Sequence, residues 1–234
     1  MRVKICGLTE PDQLAALGSL GVDAVGLNFC DGSPRRLSPD RAEQLLARRP
    51  RGLLAVGVFA HQPAAHVAEL ADRLGLDAVQ LHGDEPPEHV RWLHTAGLRV
   101  LKAFRLGAAE HLAALEDWLQ LATQLDALPE AILLDSAVPG RLGGTGQTLP
   151  DDVMDLLAAR LPRWDSVLPA WRRLHWVLAG GLTPENLADR LARCPLPISM
   201  VDAASGVESA PGRKDLDRVA RFIAAARASS SAPV

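Results

Sequence analysis

At 234 residues, 48% of them hydrophobic, the chain can build one large single-core domain or two small ones. A formal net charge of −3, no long basic run, and five Trp and four Phe with no Tyr exclude the electrostatic footprint of a nucleic-acid-binding protein. Met1 to Gly7 reads as a short strand and no run of eighteen apolar residues occurs, so a soluble, cytoplasmic protein without a membrane partner is expected.

Short apolar runs recur along the chain as eight candidate strands: 3–6, 24–29, 53–59, 78–81, 100–104, 132–135, 176–179 and 198–202. Between them apolar positions recur at three and four. Start signals stand at Glu10-Pro11-Asp12, Ser38-Pro39-Asp40 and Thr183-Pro184-Glu185, as expected of helices. An internal echo, GVDAVGL at 21–27 and GLDAVQL at 75–81, lies two units apart. Alternating strand and helix implies a parallel sheet. Eight units in residues 1–228 predict a single (β/α)8 TIM barrel with its active site at the C-terminal strand ends, the competitor being an open doubly wound sheet. The segment 160–173, with Trp164, Trp171 and Trp176 in or near it, reads as an elaborated sixth helix kept for packing. Residues 229–234 read as a flexible tail.

Strand alternation sorts the polar residues. Where helices cover the outside of a barrel, the apolar parity faces them and the other parity faces inward. On that rule Lys4 and Cys6, Asn28, Gln80 and His82, Asp135, and Asp202 all point inward, several of them at C-terminal strand ends. Small-residue loops follow the last three strands: Gly143, Gly144 and Gly146; Gly180 and Gly181; and Ser205 and Gly206. Glycine lets backbone N–H groups approach phosphate oxygens, and a helix N-terminus adds a favourable dipole. Neither a Walker nor a GxGxxG pattern is present. Cys6, Cys30 and Cys194 fit neither a disulfide framework nor a metal knuckle. The pairs His61 and His66, and His89 and His94, are five apart and diverge if helical, so no metal site is expected.

These motifs, in order, resemble the phosphoribosylanthranilate isomerase family: KICGLT at 4–9, Ser33-Pro34-Arg35, VGVF at 56–59, VQLHG at 79–83, LDS at 134–136, GGTG at 143–146, LAGGL at 178–182, and the stretch from Val201-Asp202 through Glu208 to Lys214-Asp215. The resemblance implies a cofactor-free aldose–ketose isomerase of tryptophan biosynthesis that performs an Amadori rearrangement on a small phosphoribosyl substrate, as a monomer or homodimer. It implies Cys6 as general base and Asp135 as general acid, with Arg35 on the anthranilate carboxylate and His82 and Asp202 near the substrate. Cys6 can serve if its thiolate is available near neutral pH, and Lys4 could favour that form with its charge. The chain departs from the family at Arg36, where an aromatic is usual, at 147–151, and at Ala204-Ser205, which has one hydroxyl fewer. The alternatives are a histidine-pathway or dual-specificity isomerase, expected to carry Asp at the first strand end, and a non-catalytic phosphometabolite-binding barrel.

Overall fold

The computed structural model of the chain describes residues 1–136 and 146–230. Eight parallel strands close in sequential order into a barrel: β1 (Arg2–Cys6), β2 (Ala24–Asn28), β3 (Leu54–Phe59), β4 (Ala78–Leu81), β5 (Val100–Leu106), β6 (Ala131–Ser136), β7 (His175–Leu178) and β8 (Ile198–Ala203). The open-sheet alternative is excluded by the pairing of β1 with β8, in which Lys4 lies level with Asp202. Helices α1 (Pro11–Ser19), α2 (Pro39–Leu46), α3 (Ala64–Leu74), α4 (Pro87–Thr95), α5 (Ala109–Gln124), α6 (Asp151–Val167), α7 (Leu187–Arg193) and α8 (Leu216–Ser230) alternate with the strands. A short hairpin, β9 (Glu208–Ala210) with β10 (Arg213–Lys214), is inserted between β8 and α8.

The strand parity expected from the sequence organises two cores. Val3, Ile5, Val25, Leu27, Val79, Leu81, Ile132, Leu134 and Val201 belong to the large layer between strands and helices. Ala24, Val56, Ala78, Leu101, Ala103, Ala131, Leu133, Val177, Ala179 and Met200 fill the barrel interior. The interior set is rich in small side chains, which leaves space toward the C-terminal mouth for the polar residues that continue the same parity.

Local signals place most boundaries. Pro11 opens α1, and Ser38 caps α2 by accepting the Arg41 backbone N–H at 3.2 Å. The echoed Gly75 ends α3 in the left-handed conformation at φ 59°. The seventh helix differs from expectation. Thr183 Oγ1 accepts the N–H groups of Glu185 and Asn186 while Asn186 Oδ1 accepts that of Thr183, so Pro184 lies in a side-chain-stabilised turn and α7 begins at Leu187. The eighth helix runs to Ser230, so the first two residues of the expected tail are helical.

The segment 160–173 does pack. Residues up to Val167 complete α6, and a 3₁₀ turn follows at Pro169–Arg173. Trp164 stacks on Trp176 at 6.0 Å between ring centres and meets Trp171 edge-on at 6.1 Å. Each indole N–H has an acceptor: Glu116 Oε1 for Trp164, Asp165 Oδ1 for Trp171 and the Trp171 carbonyl for Trp176. A buried Trp needs such an acceptor, and here the partners lie on α5, α6 and the 3₁₀ turn.

Candidate active site

An open cleft occupies the C-terminal mouth of the barrel. Cys6, Asn28, Gln80, His82, Asp135 and Asp202 all line it, as strand parity requires, and Arg35, Gly180, Gly181, Ser205 and Gly206 join them from the loops. Gly146 is not part of the lining. Its carbonyl lies behind Gly181, where an added Cβ would come within 2.6 Å of it. Gly143 and Gly144 lie outside the described residues.

Asp135, the last residue but one of β6, is held at both oxygens. Its Oδ1 accepts the Ser136 N–H at 2.8 Å, and its Oδ2 lies 3.2 Å from His82 Nε2. Across the ring His82 Nδ1 is 2.8 Å from the amide nitrogen of Gln80, one inward position below it on β4. Gln80 therefore aims His82, and His82 reaches Asp135.

Cys6 ends β1, three strand positions around the ring from Asp135 through β8 and β7. Its sulfur lies against Gly26, where an added Cβ would come within 2.6 Å of Sγ. Beneath it, the fully buried Lys4 donates to Asp202 Oδ2 at 2.8 Å. Burial disfavours the ammonium, but Asp202 and Cys6 outweigh it and raise the Lys4 pKa. For Cys6 the balance goes the other way. Burial is the largest effect and favours the neutral thiol; Lys4 and Lys214 oppose it, Asp202 reinforces it, and the thiol is pushed up. The condition for Cys6 to act as a base, a thiolate available near neutral pH, is thus opposed first by burial, and the charge of Lys4 that would favour the thiolate is shared with Asp202. Asp202 Oδ1 is buried with no hydrogen-bond partner among the described residues and stands ready for a donor.

Arg35 reaches the cleft from the loop after β2 and is bidentate to Glu208, with Nε to Oε1 at 2.8 Å and Nη2 to Oε2 at 2.6 Å. Neighbouring Arg36 is exposed and pairs with Asp31 at the surface. Arg35, the one that the resemblance singled out, thus lines the cleft, while its neighbour lies at the surface. Of the other cysteines, Cys30 is buried, with burial pushing its thiol up to about 12, and burial likewise raises that of Cys194.

Two buried ion pairs near the mouth had no place in the sequence reading. Lys214 Nζ donates to Glu208 Oε1 and to the carbonyl of Cys6, both at 2.6 Å. Lys102 donates to the Gly83 carbonyl at 2.6 Å and to Glu85 Oε2 at 3.2 Å, while Glu85 Oε1 accepts the His61 N–H, which ties the loop after β4 to the loop after β3 and to strand β5 itself. Lys102 did carry a signal. It occupies the helix-facing parity of an apolar strand, and a charge there demands a partner.

Among the described residues no group of three His, Cys, Asp or Glu could hold a metal ion. His89 and His94 share α4, whereas His61 precedes α3 with φ 56°. No helix of the described residues is long and apolar enough to cross a membrane.

Residues 3–225 match the family model described as N-(5'phosphoribosyl)anthranilate (PRA) isomerase. An N-(5'-phosphoribosyl)anthranilate isomerase of Rubrobacter xylanophilus is 39% identical over 228 residues, covering 97% of this chain and 98% of its own. The crystal structure of phosphoribosyl anthranilate isomerase from Thermotoga maritima superposes with a TM-score of 0.78 at 30% identity, over 97% of this chain and 99% of that one. A structure of such an isomerase in complex with reduced 1-(o-carboxyphenylamino)-1-deoxyribulose 5-phosphate aligns at 0.74 and 30% identity, with the same coverage. By its family model, its relatives and its barrel, the chain belongs to the N-(5'-phosphoribosyl)anthranilate isomerase family.

Proposed function

We propose that this chain isomerises N-(5-phosphoribosyl)anthranilate to 1-(2-carboxyphenylamino)-1-deoxyribulose 5-phosphate, with Asp135 as general acid and Cys6 as general base. The observation that carries the reading is the arrangement of one cleft: a carboxyl group and a thiol on separate strand ends, an arginine on one loop, and glycine loops after β7 and β8.

Opening the ribose ring requires a proton on its ring oxygen as the C1–O bond breaks, and Asp135, aimed by His82, supplies it. The product is a protonated Schiff base at C1. Its positive charge acidifies the proton on C2 and favours a thiolate beside it. Cys6 then removes the C2 proton, and the resulting enolamine tautomerises to the ketone. A thiol pKa raised by burial fits this order, because the base gains its driving force once ring opening has placed a cation next to it.

Arg35 grips the anthranilate carboxylate. The free Oδ1 of Asp202 accepts a substrate donor, and the backbone of Gly180, Gly181, Ser205 and Gly206 cradles the phosphate, with Gly146 supporting it from behind. Gly143 and Gly144 are proposed for the same cradle on their sequence position alone. The chain is proposed to act as a monomer or a homodimer. The reaction is proposed to take place in the cytoplasm.

The test is loss of anthranilate-type fluorescence on freshly generated substrate in metal-free buffer, for the unmodified chain, Cys6→Ser and Asp135→Asn. Turnover that collapses in both variants is expected. Activity surviving Cys6→Ser would remove the thiol from the mechanism.

A further inference from the structure

We infer that Glu208 and Lys214 convert Arg35 into a receptor for a single carboxylate and thereby set the preference for a substrate ring that bears one. The inference rests on Arg35 binding the anthranilate carboxylate and names two positioning residues for that contact.

The arginine has little freedom. Its aliphatic stem lies on Gly7, where an added Cβ would come within 2.2 Å of Arg35 Cδ. Glu208 takes the Nε and Nη2 edge of the guanidinium. The opposite edge, Nη1 with the second hydrogen of Nη2, is left for a bidentate carboxylate in the cleft that Arg35 lines.

A carboxylate arriving there also approaches the carboxylate of Glu208, and that repulsion needs an answer. Lys214 supplies it. Its ammonium is fully buried, 2.6 Å from Glu208 Oε1, which also accepts the Gly212 N–H at 3.2 Å. Burial lowers the Lys214 pKa and Glu208 opposes that loss; with Lys214 protonated, two cations and one anion leave the cluster with one net positive charge, which one carboxylate neutralises. The ammonium is fixed in turn: it donates to the carbonyls of Cys6 and Ala204. The Lys214 backbone exchanges two hydrogen bonds with the side chain of Gln13, at 2.6 and 2.9 Å. One side chain thus links the arginine's holder, the strand end that carries the base, and the start of the last glycine loop.

The experiment compares the binding of reduced 1-(o-carboxyphenylamino)-1-deoxyribulose 5-phosphate with its phenylamino counterpart, which lacks the ring carboxylate, by titration calorimetry. The unmodified chain is expected to prefer the carboxylate ligand by about tenfold or more, the scale of a charge-assisted contact. Lys214→Met makes the cluster neutral, and the preference should fall by about tenfold. Lys214→Gln, which keeps an N–H donor in the same cavity, gives the same reading should the apolar variant not fold. Equal weakening of both ligands in the Lys214 variants, or an unchanged ratio, overturns the inference. No preference in the unmodified chain overturns instead the role of Arg35 on which it rests.

Discussion

His82 Nε2 lies 3.2 Å from Asp135 Oδ2, and the far nitrogen of the same ring is held by Gln80 at 2.8 Å. With Ser136 N–H on Oδ1, these contacts leave the carboxyl group one orientation at the mouth of the barrel. Asp135→Asn keeps the shape and removes the proton donor, so kcat is expected to fall by ~10²–10⁴. Gln80→Leu loses only the aim of the imidazole and should lower kcat by about tenfold, the scale of one hydrogen bond, with little change in KM. Steady-state kinetics on the two variants check both, and an equal loss would make Gln80 more than a positioning residue.

Gly26→Ala tests the seat of the thiol. An added Cβ would stand 2.6 Å from Cys6 Sγ and 3.1 Å from its Cα, so the reactive sulfur must move. Overpacking of this kind costs about 1–3 kcal/mol. A folded protein with a modestly lowered Tm and at least tenfold lower kcat/KM is the expected outcome, measured by thermal melts beside turnover.

The state of the thiol is readable by alkylation. Burial favours the neutral form of Cys6, so its reaction with iodoacetamide in the ligand-free protein should keep rising with pH beyond the ordinary thiol range rather than levelling near neutrality. Lys4 acts against burial, so Lys4→Met should displace the profile to still higher pH. An unmoved profile would remove Lys4 from the control of the base. Cys30, buried and with its thiol pushed up to about 12, is expected to stay unmodified in the folded chain.

Acid sensitivity should centre on Glu208. Burial alone would raise its pKa, but Arg35 and Lys214 outweigh burial and hold the carboxyl below its ordinary range. A depressed value in the folded chain means a stabilisation that is complete above the ordinary carboxylate range and is lost as pH falls through the lowered value. Glu208→Gln is therefore expected to narrow the difference between Tm at neutral and at acid pH. An undiminished difference would show that other carboxylates govern acid unfolding.

Trp164 gives a test of stability away from the cleft. It is fully buried, stacks on Trp176 and donates to Glu116. Trp164→Ala should cost about 3–5 kcal/mol by denaturant unfolding. Trp164→Phe keeps the stacking but leaves Glu116 Oε1 without that donor, and should cost about 1–3 kcal/mol.

What the amino-acid sequence determined by itself was local and periodic. The eight strands, the inward parity of Cys6, Gln80, His82, Asp135 and Asp202, and the glycine loops beside them follow from alternation along a pleated strand and from turn chemistry. Those are properties of residues a few positions apart. Helix starts at Pro11 and Pro39 were legible for the same reason. At Pro184 the cue misled, because Thr183 and Asn186 satisfy the backbone in a turn before α7 can begin. Tertiary structure decided the pairings. Arg35 meets Glu208 across 173 positions and Lys214 reaches the carbonyl of Cys6 across 208, and closure of β1 on β8 is what brings those segments together. It also gave the charge of Lys4 first to Asp202 and set Arg36 against Asp31 at the surface. Side-chain direction is encoded along the strand, whereas the partner of a buried charge depends on where the folded chain returns.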